Sequence, residues 1–198
     1  MSPAQNPEAL ARENIDHLLS AAGWHVCDMA DANIHAARGV ALREFPLDSG
    51  YGFADYLLYV DGKAAGVIEA KKQGATLTGV EVQSSRYAKG LPASLPAWRR
   101  PLPFIFESTG AETHFTNGLD PEPRARNIFA FFRADLLADW LAELPGATAY
   151  STGDANSASP SQIGTSTFLA KMAHMPPLEE AGLWPAQKIG RASCRERV

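Results

Sequence analysis

At 198 residues the chain is sized for one domain of ordinary dimensions, and 45% hydrophobic with 20% charged content is a globular balance. The formal net charge of −4 excludes an overall basic footprint, so nucleic-acid contact has to come from a local patch or from other domains and subunits. There is no signal peptide and no apolar run of membrane-spanning length, and Cys27 and Cys194 have neither metal-ligand spacing nor a disulfide framework, so a soluble, cytoplasmic protein without a membrane role is expected.

Residues 7–22 read as an amphipathic helix. Pro7 suits its first turn, Leu10, Ile15, Leu18, Leu19 and Ala22 form an apolar stripe, and Gly23 ends it before the anchoring Trp24. Glu8 reads as a solvated first-turn acid that favours the helix dipole. Residues 25–39 carry no clear period, and His25 and His35 read as ordinary polar residues. Val40 to Phe45 reads as the first strand of a sheet, with Arg43 and Glu44 as its charged members; Glu44 is expected to pair with a basic side chain, proximity to a metal being the alternative. Residues 46–52 form a loop.

Residues 52–73, GFADYLLYVDGKAAGVIEAKKQ, organise the chain. Tyr56 to Tyr59 and Val67 to Ala70 are strand-like, and Asp61-Gly62 between them is a strong hairpin signal. Asp55 opens the first strand. Glu69 and Lys71, two apart, share one face at the end of the second. Two carboxylates and a lysine on one sheet edge suit a Mg²⁺-dependent phosphodiester hydrolase: the acids hold a hard cation through oxygen, the cation polarises phosphate and acidifies water, and the lysine stabilises or orients the attacking species. An exposed Glu-x-Lys is also a common solvated pair. Register discriminates. A bare two-residue loop would set Asp55 opposite Ile68 and turn Glu69 to the other face. A three-residue loop, Val60-Asp61-Gly62, or another irregularity of the same parity, puts Asp55 and Glu69 on one face, and that is the expectation.

Gly74 to Gly79 is a link, and Val80 to Lys89 reads as a helix on which Gln83 and Tyr87 share a face, with Arg86 and Lys89 adding positive charge. Residues 91–103 hold prolines at 92, 96, 101 and 103 and read as a loop; its Trp98, Arg99 and Arg100 are either a DNA-facing patch or a solvated loop. Phe104 to Glu107 and Thr113 to Thr116 read as short strands. Residues 120–126 form a turn, and Asn127 to Phe132 reads as a strand or extended segment. Arg133 to Leu144 is amphipathic, with Leu136, Leu137, Trp140, Leu141 and Leu144 on one side, and Pro145-Gly146 stops it. Residues 148–167 read as a Ser/Thr/Gly-rich linker.

The motif resembles that of the PD-(D/E)xK nucleases, with Asp55 as the first acid, Glu69-Ala70-Lys71 as the second half, and Ala54 where a proline is usual. Gln83 to Tyr87 resembles the Q-x-x-x-Y element that follows the core in some of these nucleases. From about residue 7 to 187 the chain resembles the N-terminal part of the restriction (R) subunit of type I restriction–modification enzymes. This resemblance implies an α/β restriction-endonuclease-like core over residues 1–147, a central mixed β-sheet flanked by helices. It implies a catalytic set of Asp55, Glu69 and Lys71. Asp55, Glu69 and the backbone carbonyl of Ala70 would ligate Mg²⁺, and Gln83, Arg86 and Tyr87 would contact DNA or position the site. It implies double-stranded DNA as substrate and modification and specificity subunits as partners. Residues 168–187, ending in GLWPAQ, would open an ATP-driven translocase, with Gln187 on adenine in a full-length enzyme. No G-x-x-x-x-G-K-[ST] loop occurs, so a truncated motor is expected and ATP belongs to the longer enzyme alone. Residues 188–198, four of them basic, break with the rest and read as a non-native tail. Two alternatives stand beside the endonuclease: a non-catalytic DNA- or subunit-docking domain on the same fold, and a stand-alone repair or junction nuclease.

Overall fold

The computed structural model describes residues 7–77, 81–142 and 172, with the side chains of residues 81–83 left out. The expected linker, the translocase segment apart from Met172, Gln187 and the tail lie outside the described residues. One seven-stranded mixed sheet runs in simple chain order, β1 His25–Cys27, β2 Gly39–Pro46, β3 Phe53–Val60, β4 Lys63–Ala70, β5 Phe104–Ser108, β6 Thr113–Asn117 and β7 Arg126–Ile128. The β1–β2 and β4–β5 pairs are parallel and the other pairs antiparallel. Three helices complete the fold, α1 Pro7–Ala21, α2 Glu81–Lys89 and α3 Ala134–Ala142.

The strand alternation sorts two cores onto two faces. On one face Ile15 and Leu19 of α1 and Leu137 and Leu141 of α3 meet Tyr56, Leu58, Val60, Ile68, Phe104, Phe106 and Phe115. On the other, Ala88 of α2 meets Val40, Leu42, Leu57, Tyr59 and Val67. Asp55 and Glu69 share the parity of Leu57 and Val67, which lie on the α2 face. Trp24 serves as the anchor expected of it, buried, with its indole N–H donating to the Phe132 carbonyl at 2.9 Å.

Several sequence expectations are corrected. Val40 to Phe45 is not the first strand: His25–Cys27 precedes it and pairs in parallel with Val40 to Leu42. It is too short for a period to show. Asn127 to Phe132 is strand only at its start, because β7 ends at Ile128. On α3, Leu136 is exposed while Leu137, Ala138 and Leu141 are buried, since the buried stripe follows i, i+1 and i+4.

The hairpin connection is also corrected, and its parity is kept. Val60 pairs with Lys63 and Tyr59 with Ala64, so Asp61 and Gly62 alone make the turn. Both have positive φ, 48° and 76°, the primed-turn geometry that matches strand twist. Asp61 is held by Arg38, whose carbonyl accepts its N–H at 2.8 Å and whose guanidinium lies 3.3 Å from its carboxylate. The register then shifts. Leu58 pairs with Gly66, Leu57 with Val67 and Tyr56 with Ile68, which leaves Ala65 as an extra residue. Continuing the register sets Asp55 opposite Glu69. The bulge is pinned from the far side, where Ala64 N–H donates to the Pro96 carbonyl and the Ala64 carbonyl accepts from Trp98 N–H, at 2.9 and 3.0 Å.

Gly66 follows the bulge where β4 and β5 pass closely. A Cβ there would lie 2.4 Å from the Phe104 carbonyl oxygen and 2.8 Å from its Cβ, both parts of a buried strand. Gly66→Ala is expected to cost about 1–3 kcal/mol by forcing those strands apart, read as a lowered urea midpoint. An unchanged midpoint would contradict this packing.

Candidate active site

The carboxylate end of the sheet gathers side chains from α1, β2, β3, β4 and β5. Asp55 is only 15% exposed at its side chain. Its Oδ2 accepts the Ala70 N–H at 2.8 Å, tying the first acid to the second strand beyond the ladder. Its Oδ1 accepts from the Arg12 guanidinium at 2.6 Å. Arg12 also donates to Glu44 Oε1 at 2.6 Å, so Glu44 takes the basic partner expected of it. Glu44 falls opposite Asp55 in the β2–β3 register, between the Arg43–Tyr56 and Phe45–Ala54 pairs.

Glu69 is 3% exposed. Lys71 Nζ meets its Oε1 at 2.5 Å, so the two residues share a face as their spacing requires. Its Oε2 is buried with no hydrogen-bond partner among the described residues. Burial is the main force on this acid. The Lys71 hydrogen bond opposes it and the neighbouring Asp55 charge adds to it, leaving the Glu69 carboxyl pushed up to about 7. Burial works against the Lys71 ammonium, but the hydrogen bond and charge of Glu69 outweigh it and raise the amine above its ordinary value. Lys71 is thus a cation at neutral pH.

Of the downstream element, Tyr87 packs partly buried under the sheet and lies near enough to Lys71 to act on it electrostatically. Gln83 sits one turn earlier on α2, and its side chain lies outside the described residues. Arg86 is exposed. It donates to the Gly50 carbonyl and lies over the Tyr51 ring, 5.9 Å from the centroid, so it fastens the 48–52 loop to α2. Arg100, read as one reading of a DNA-facing patch, is instead a loop clamp: it donates to the carbonyls of Leu91, Pro92 and Leu95 at 2.7–2.8 Å. Trp98 is equally internal, its indole N–H on the Val60 carbonyl at 2.8 Å.

Three participants escaped the sequence reading. Glu107, 1% exposed, is the register partner of Glu69 on β5 and takes the Ser84 hydroxyl of α2. A charged residue inside the apolar run PFIFES was the available signal. Arg12 gave none, because its partners Glu44 and Asp55 lie 32 and 43 residues away.

Two adjacent acids, a buried oxygen of Glu69 lacking a donor and the Ala70 carbonyl suit a hard divalent cation. Among the described residues no three His, Cys, Asp or Glu side chains form a closed metal cage.

Residues 30–114 match the family model for the second domain of the type I restriction enzyme EcoKI endonuclease subunit. That span contains Asp55, Glu69, Lys71, Gln83, Tyr87 and Glu107. A solved fragment described as an HsdR subunit of a type I restriction enzyme from Vibrio vulnificus YJ016 has a similar fold, at a TM-score of 0.50 and 20% identity. The likeness covers 71% of this chain, which spans about a quarter, 26%, of that one. No curated protein matches the chain.

Because Glu69 in the folded chain binds its proton more tightly than an ordinary carboxylate, the fold holds more protons than the unfolded state between about pH 4.5 and 7. Its contribution is therefore fully present below that window and lost as pH rises through it. Glu69→Gln is expected to raise stability at pH 8 by on the order of 1–3 kcal/mol and to flatten this slope. Denaturant titrations at pH 5 and pH 8 measure both; a variant less stable than the parent at pH 8 would contradict the electrostatics.

Proposed function

We propose that the chain, whose residues 30–114 match the family model for a type I restriction endonuclease subunit domain, is the Mg²⁺-dependent DNA-cutting module of such a subunit. The observation that carries this reading is the convergence of Asp55, Glu69 and Lys71 on one sheet face. Asp55 and Glu69 would hold the ion, with the Ala70 carbonyl as a further ligand. The bound ion would polarise the phosphodiester and acidify water at the site.

The roles of the other groups follow from their charge states. Lys71 is protonated, so it donates to a phosphate oxygen or orients the attacking water rather than accepting a proton. Glu69 would have to be ionised to ligate, so cation binding would strengthen as pH rises through about 7. Ser84–Glu107 fixes α2 against β5, which keeps Tyr87 beside Lys71. Gln83 and Tyr87 would position the strand or the site, and Arg86 would add phosphate contact from the rim.

The substrate proposed is double-stranded DNA, brought by modification and specificity subunits of a type I complex acting in the cytoplasm. Reading of sequence is then delegated to those partners, which agrees with a net charge of −4. No described helix is long and apolar enough to cross a membrane. ATP and Gln187 belong to the proposed longer enzyme.

Mg²⁺ titration of this chain by calorimetry is expected to show saturable binding that Asp55→Ala or Glu69→Ala weakens at least tenfold. Lys71→Ala is expected to retain binding yet abolish DNA cutting, by a factor of at least a hundred, in a full-length enzyme restored around this module. Binding indifferent to both acids would leave a docking role for the domain. Cutting by the Lys71 variant would remove the lysine from the mechanism.

A further inference from the structure

Arg12 stands on Asp55 in a way that neither folding nor catalysis explains by itself. Of the two Asp55 oxygens, Oδ2 is committed to a backbone donor, Ala70 N–H, at 2.8 Å. Oδ1 accepts from the Arg12 guanidinium, at 2.6 Å, and the Asp55 carboxylate also borders Glu69. A cation ligated by Asp55 would use that second oxygen at about 2.1 Å, the Mg²⁺–oxygen distance. Two cations would then share one carboxylate oxygen and repel across a few ångströms.

The arginine has somewhere to go. Its side chain is 43% exposed, and its other arm already holds Glu44, whose side chain is 68% exposed. The helix backbone does not have to move, because the Tyr56 hydroxyl donates to Asp16 at 2.8 Å and lies 3.2 Å from the Arg12 carbonyl. Asp16 is in turn paired with Arg43 at 2.9 Å. Only the exposed end of one side chain has to shift, and exposed ion pairs resist such a shift weakly.

We propose that Arg12 is the resident counter-ion of the site, displaced from Asp55 by the divalent cation and left on Glu44. This rests on the metal-dependent reading above and deepens it. Arg12 would keep Glu44 and Asp55, opposite each other on β2 and β3, from repelling while the cation is absent. It would also raise the cation concentration at which the site fills, so that occupancy responds to the supply of the ion or to its arrival with DNA phosphate. Glu44 acts as the receiving carboxylate, not as a ligand.

Calorimetric titration of the 198-residue chain with Mn²⁺ and with Mg²⁺, at fixed ionic strength and pH 8, tests this. Arg12→Ala and Arg12→Gln are both expected to bind the cation about tenfold more tightly than the parent. Glu44→Gln is expected to bind it several-fold more weakly, and to lose most of that effect in the Arg12→Ala background, since Glu44 acts through Arg12. Thermal unfolding of each variant reports that the fold is kept. If the parent binds and both neutral variants bind equally or more weakly, Arg12 is a fixed support of Asp55 and the displacement is wrong. A Glu44→Gln penalty that persists in full without Arg12 would make Glu44 a ligand and equally overturn it. If neither parent nor variants bind, the metal-dependent reading itself falls, a result distinct from the other two.

Discussion

One surplus residue in β4, Ala65, decides whether this sheet has a chemical face at all. The tight Asp61-Gly62 turn sets an odd register in which the acids of the two strands would look away from each other. The bulge adds one position and reverses that parity before Asp55 and Glu69 are reached. It sits in the middle of the sheet, where unpaired backbone is costly, and its neighbour Ala64 is accordingly paired with Pro96 and Trp98 from the long proline-rich loop. The loop read as either a DNA-facing patch or a solvated loop is thus part of the device that phases the site.

From that register follows the electrostatic character of the centre. Glu69 comes to lie in the sheet's interior, 3% exposed, with one oxygen lacking a donor among the described residues. A carboxylate there is destabilised unless a cation answers it. Lys71 answers one oxygen, and Arg12 answers Asp55 beside it. Two carboxylates are balanced by two partly exposed cationic arms, Arg12 43% exposed and Lys71 29%. An arrangement built for stability alone would place apolar side chains at these positions. On the proposed reading, the cost tolerated here is that of a site which would take a multivalent cation and an anionic substrate.

Much of this was legible in local pattern. The helices, the hairpin, the parity of the acids and the lysine follow from period, turn chemistry and spacing. The means of achieving the parity was not legible, because a three-residue loop and a two-residue turn with a bulge produce the same facing from the same residues. What chooses between them is distant: Arg38 gripping Asp61, and the 96–98 segment gripping Ala64. Glu107 was hidden because alternation in PFIFES reads as core, and its meaning appears only when β5 lies parallel to β4 with Glu107 beside Glu69. Arg12 was hidden for the same reason, since a partner 43 residues away leaves no trace in the spacing. Arg100 misled because a loop arginine looks solvated until its carbonyl partners are known.

The most direct test of the account is the position of a bound ion. Crystals of this chain grown with Mn²⁺ would give an anomalous difference peak from the metal alone. The account places that peak between the Asp55 and Glu69 carboxylates, within ligand distance of both, about 2.0–2.4 Å. A peak at another site, or a fully occupied ion touching one of these acids and not the other, would contradict it.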